Sequence, residues 1–246
     1  MDDAFISKSS DVTQYWAQHE YRQAEHWYQH AIEADPAVRS HYWWLGLAMV
    51  LQGKEEDAQV VWMTPFMEAD EEQAEVYTLE LLEILDQEAS RQAEDAPDRS
   101  WLIRQHIREI APHQVNNLLL LVLLAVMLDR FDSSDLEDWS IIEQLSQTVE
   151  PVSSAIATTT VDQLLNTVTI DDRVVQFIAS AIPYINDEDG RLVHALMQSA
   201  NRAAFAQRNP QAAIDLAELC LGQEPDEHNR YFILMQLSAF FQETNQ

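Results

Sequence analysis

The 246-residue sequence predicts an all-α protein made of antiparallel helix pairs in series, about a dozen helices in total. Three observations predict it. Small and aromatic residues recur at a fixed 34-residue spacing, as from Ala24 to Ala58 and from Tyr28 to Trp62. Only four residues are glycine while 47% are apolar, the composition of a folded, helix-rich chain. Between the clearest repeats, apolar residues keep a three- and four-residue spacing, in Val76, Leu79, Leu82, Ile84 and Leu85, and again in Trp101, Ile103, Ile107 and Ile110.

The first repeat carries Tyr21, Ala24, Tyr28 and Ala31, with Pro36 as the helix stop. Thirty-four residues beyond His19 stands Gly53, so both positions fall at the turn between paired helices. In the second unit the stretch Tyr42 to Ala48 opens with an aromatic and places Gly46 after Leu45. Gly46 and Ala58 lack bulk where two helices cross, and Tyr42, Leu45 and Trp62 fill the space around the crossing. Residues 21–34 are expected to pair with 38–52.

At the other end, Ala213, Leu216, Ala217, Cys220 and Pro225 repeat the rhythm, with the same 12-residue gap from Ala213 to Pro225 as from Ala24 to Pro36. This predicts a pair formed by 191–206 and 210–222, with Ala213 and Cys220 buried. Tyr231, 34 residues after Met197, opens a further helix beginning near His228 whose partner is absent. Apolar residues surround most of that helix from Tyr231 to Phe241, so it reads as an orphan.

Pro112 ends the helix before it, and Pro183 should kink the helical segment 171–186 or end it at about Ile182, since proline lacks the backbone donor and clashes with the preceding turn. Asp187 to Gly190 reads as a turn. The stretch from Gln147 to Asp162 has Pro151, paired serines and a threonine run, and reads as an irregular connection or a poorly packed helix. The expected organisation is therefore a helical region over 1–146, a connection over 147–162 and a second helical region over 163–246.

These residues resemble the tetratricopeptide-repeat family. More narrowly, Ser40 to Trp62, Trp101 to Pro112 and Asn209 to Leu234 resemble the N-terminal helical region of cyanobacterial SPINDLY-type O-linked N-acetylglucosamine transferases. The resemblance implies a right-handed superhelix with a concave face lined by the first helix of each pair. It places Trp43, Leu47, Val50, Phe232, Gln236 and Phe240 in such a groove, the alternative for each being that it packs between helices. It also implies that any sugar-nucleotide site would belong to a downstream transferase region, so no catalytic residue is carried over.

A net charge of −28 makes the average surface repulsive to nucleic-acid phosphates and anionic lipids, and excludes both as partners. The apolar run Leu118 to Leu128 is about half the roughly 20 residues needed to span a bilayer, so a buried core helix is expected. No secretory signal is read at the N-terminus, and the single cysteine fits a reducing compartment, so the expected location is cytoplasmic.

His26 and His30 stand four apart, a spacing compatible with two metal ligands on one helix face, but no third ligand accompanies them. The acids of Glu68 to Glu72 lack the spaced oxygens and central glycine of a calcium loop, and suit a helix N-terminus instead. No nucleophile elbow or phosphate loop occurs. The sequence thus predicts no metal, no cofactor and no catalysis by this chain alone. It predicts an interaction scaffold for a protein or peptide, preferably basic, with self-association or a downstream domain covering the 228–243 helix. The alternatives are a part of a transferase whose active site lies downstream, or an architectural self-associating module.

Overall fold

The computed structural model describes residues 10–185, 191–224 and 226–244. Among them are fourteen α-helices, two 3₁₀ turns and no strand, so the all-α class and the helix number agree with the sequence. Pro225 and the turn expected over Asp187 to Gly190 lie outside the described residues.

The chain divides into two compact units, 1–110 and 111–246. The first holds α1 (Ser10–Ala17), α2 (Tyr21–Ala34), α3 (Arg39–Val50), α4 (Glu55–Met63), α5 (Glu71–Gln92) and α6 (Pro97–Ile110). Helix α3 packs against α2, α4 and α5, so every residue from Trp43 to Val50 is buried. The expected pairing of the first two repeat helices is present, and Ala24, Gly46 and Ala58 are all buried.

Gly46 is the closest crossing. A methyl group there would lie 2.5 and 2.6 Å from Cδ1 and Cε2 of Trp62. The aligned turn positions also match in conformation: His19 has φ 56° and Gly53 has φ 76°, both left-handed. At each, the following residue's N–H reaches back five residues, Glu20 to Tyr15 at 2.8 Å and Lys54 to Met49 at 3.0 Å, closing the preceding helix. The acidic stretch ends in a helix start, as expected. Asp70 accepts from Gln73 N at 2.8 Å while Gln73 Oε1 accepts from Asp70 N at 3.1 Å, a reciprocal cap on α5.

Unit 1 is joined internally by charged and polar keys. Glu80 on α5 accepts from Arg39 Nη2 at 2.7 Å and from the Trp43 indole at 3.3 Å. Glu25 on α2 accepts from Lys54 Nζ at 2.7 Å and Gln52 Nε2 at 2.8 Å. Gln92 at the end of α5 donates to the Tyr21 hydroxyl at 3.1 Å, joining residues 71 positions apart.

The second unit holds α7 (Val115–Met127), α8 (Ser134–Asp138), α9 (Ile141–Gln147), α10 (Ser154–Thr167), α11 (Asp172–Ala181), α12 (Arg191–Phe205), α13 (Pro210–Gln223) and α14 (Glu227–Thr244). Its contacts run in two rows. Helices α7, α10, α12 and α14 follow one another in the first, and α9, α11 and α13 in the second. The apolar run of α7 is a core helix, with Leu118, Leu119, Leu121 and Val122 fully buried. Helix α11 stops at Ala181 and Pro183 sits in a 3₁₀ turn over Ile182–Tyr184, as its missing donor requires.

Hydrogen bonds between successive members of the rows use hydroxyls against backbone carbonyls. Thr160 donates to Leu119 O at 3.3 Å, Ser199 to Leu165 O at 2.5 Å and Tyr184 to Leu145 O at 2.6 Å. The partners lie 41, 34 and 39 residues apart, close to one repeat length each.

The expected connection over 147–162 is corrected in its position. The units divide between Ile110 and Ala111, so 147–162 lies inside the second unit. The segment is also helical from Ser154 onward. The threonine run tolerates helix because Thr159 and Thr160 donate to the carbonyls four residues back, at 2.9 and 2.8 Å. The short irregular part is held by Asn116, which donates to Pro151 O at 3.0 Å and accepts from Ser153 N at 2.8 Å.

Candidate functional site

The six residues expected to line a groove divide sharply by burial. Trp43, Leu47, Val50 and Phe240 are fully buried, whereas Phe232 and Gln236 are exposed. Trp43 does not face an open groove because α3 is covered on several sides. Its indole binds Glu80, its ring lies 5.6 Å from that of Phe66, and its carbonyl accepts from the Trp62 indole at 3.1 Å. Phe240 packs inward beside Phe205, with ring centroids 6.1 Å apart. Four of the six are therefore core residues, and the surviving candidates both stand on α14.

That helix is placed firmly. Asp226 accepts from the backbone N–H groups of His228 and Asn229 at 2.9 and 3.0 Å, which caps its first turn. Arg230 reaches back to the carbonyls of Leu221 and Glu224 at 3.0 and 3.2 Å, satisfying the end of α13. Ile233, Leu237 and Phe240 form the buried stripe against α13 and α12.

A second apolar stripe points away from the core. Tyr231 is 58% exposed, Phe232 53%, Leu234 51%, Met235 55% and Phe241 48%. At about 100 Å² each, half of what a large side chain presents, they offer about 500 Å², in the range of functional patches on single chains. No charged residue occurs between Tyr231 and Gln242. The sequence indicated an outward apolar face here, and the structure separates its members from the inward ones.

Elsewhere the surface offers less. An open depression of about 940 Å³ lies along the outer side of α2, bordered by Arg22, His26, Trp27, His30 and Lys54. His26 and His30 face each other there with Nε2 atoms 3.1 Å apart, and His30 Nδ1 lies 3.3 Å from Glu33. Lys54 is engaged by Glu25. Among the described residues no three His, Cys, Asp or Glu side chains are grouped to hold a metal, and no helix is long and apolar enough to cross a membrane.

Cys220 fills the small slot expected of it, fully buried, with Sγ donating to Val193 O at 3.5 Å. Burial, reinforced by Glu224, pushes its thiol up to about 12, so it is held neutral. Neither a family model nor a curated protein matches this chain.

Proposed function

We propose that the chain is a protein-interaction scaffold, a series of packed helices that holds a helical segment of another protein surface against α14. The observation that carries this reading is the second apolar stripe of α14, a rigidly seated helix with about 500 Å² of uncharged apolar surface turned to solvent. Helix-in-groove recognition uses anchors at such spacings. The recurrence of bonds at 34 to 41 residues in the second unit supports a stacked-repeat design of the tetratricopeptide kind. The association with a glycosyltransferase rests on the sequence resemblance alone.

The acidic surface acts on approach, by attracting basic flanks of an incoming segment, whereas the stripe itself carries no charge. Two labelled amphipathic helical peptides, identical in apolar face and differing only in neutral or basic flanks, test this by fluorescence anisotropy. Both should bind, the basic one more tightly at low salt and with the larger loss on adding salt. Leu234→Glu should abolish both signals. Absence of binding by either peptide to the monomeric chain, or binding unaffected by Leu234→Glu, overturns the proposal.

A further inference from the structure

We infer that the segment received by α14 is the α14 of a second copy of this chain, docked antiparallel so that Tyr231 meets Phe241 and Leu234 meets Ser238 of the second copy. The inference rests on the scaffold reading above and names its partner. Tyr231, Leu234, Ser238 and Phe241 are spaced three, four and three residues apart, the a and d spacing of a helix-pairing seam, and all four are exposed. Met235 lies beside the seam and widens it.

The order of side-chain sizes selects the orientation. Along the seam they run large, large, small, large. Reversing one copy sets Leu234 into the space over Ser238 and stacks Tyr231 on Phe241, and the twofold repeats both contacts. A parallel pair would oppose Ser238 to Ser238 and leave a void between two larger layers, which forfeits contact on both sides. The seam is therefore complementary to itself in one orientation only.

Charge narrows the choice of partner further. Two copies carrying −28 each repel over most of their surfaces, and the twelve residues from Tyr231 to Gln242 form an uncharged window in which they can touch. A basic partner would find no carboxylate within that window to pair with. Tyr231, Leu234, Met235 and Phe241, at about 100 Å² each, together remove about 800 Å² over two copies, and the polar rim around them must supply the rest of the roughly 1,000 Å² of a specific interface.

Sedimentation velocity and cysteine crosslinking test the inference. The unmodified chain should sediment as a dimer at micromolar concentration, and raising sodium chloride from 50 to 500 mM should tighten the dimer several-fold, because screening removes repulsion between like-charged copies. Leu234→Glu and Met235→Glu, at exposed positions, should give monomers with unchanged helical circular dichroism. Leu234→Cys combined with Ser238→Cys should form a covalent dimer under mild oxidation, whereas Ser238→Cys alone should not; Cys220 is buried and does not interfere.

A chain that stays monomeric at 100 µM and 500 mM salt overturns the inference, as does efficient crosslinking by Ser238→Cys alone. A monomer that still binds an amphipathic peptide through Leu234 rejects self-pairing while sparing the scaffold reading. A monomer that binds neither rejects both.

Discussion

The indole N–H of Trp62 donates to the backbone carbonyl of Trp43 at 3.1 Å, across a helix crossing where Gly46 supplies the missing side chain. The bond brings the pyrrole edge of the Trp62 ring against the α3 backbone, and a methyl group at position 46 would occupy the ring's place. Gly46→Ala should therefore cost about 1–3 kcal/mol by overpacking, although alanine favours helix. Gly222→Ala, where an added methyl group meets nothing within 4 Å among the described residues, should instead leave stability unchanged or raise it by up to about 1 kcal/mol. Ala58→Leu, at a fully buried site, should cost about 1–3 kcal/mol. Urea midpoints of the three variants check this, and a neutral Gly46→Ala would remove the close crossing from the argument.

Glu80 and Arg39 should respond unequally to truncation. Glu80 is 6% exposed and Arg39 35%, so removing the arginine strands a buried carboxylate, whereas removing the carboxylate leaves a cation that can turn to water. Arg39→Met is expected to cost about 1–3 kcal/mol, reduced from a fully buried pair by Arg39's own exposure. Glu80→Met should cost less. Denaturant unfolding of both variants makes the comparison, and the reverse order would contradict it.

His41 gives the first unit a pH dependence of defined sign. Its ring is partly buried, Nδ1 has no hydrogen-bond partner among the described residues, and burial lowers its pKa below the usual value despite the opposing field of Asp35. The unfolded chain therefore takes up this proton first as pH falls. The stability held by neutral His41 is present above about 6.5, the unfolded value, and is lost below it as pH falls towards the folded pKa. His41→Phe should flatten the fall in urea midpoint between pH 7 and 5 relative to the parent. Parallel curves for the two proteins would refute it.

Cys220 should be silent toward disulfide reagents in the folded chain at pH 8 and react only as fast as the second unit opens. With its folded pKa at about 12, the neutral thiol's contribution is intact below about pH 8.5, the unfolded value, and is lost as pH rises from there towards 12. Stopped-flow thiol titration with and without urea reads this directly, and instantaneous labelling without urea would show that the slot is open.

The parts legible in the sequence were those that small residues encode. Ala24, Gly46, Ala58 and Ala213 mark crossings because nothing larger fits, and His19 and Gly53 mark turns with a shared left-handed backbone. The exposed face of α14 was legible because a helix apolar on most sides cannot bury all of them against one neighbour. Trp43, Leu47 and Val50 were misplaced because periodicity shows which residues of a helix share a face, not how many neighbours cover that helix. Long-range partners were equally hidden. Glu80 looks like a solvated acid on α5 until Arg39, 41 residues away, is brought to it. Nothing local in Asn116 announces that it will hold Pro151 and Ser153.

The bond from Gln92 to Tyr21 has a kinetic meaning. It ties the last residue of α5 to the first residue of α2, and Arg99 on α6 lies 5.3 Å from the centre of the same Tyr21 ring. Helices α1 and α2 therefore cannot peel away from the first unit as a frayed end, because opening them also releases α5 and α6. Amide hydrogens along α2 should exchange only with opening of the whole unit, not by fraying of its first helices.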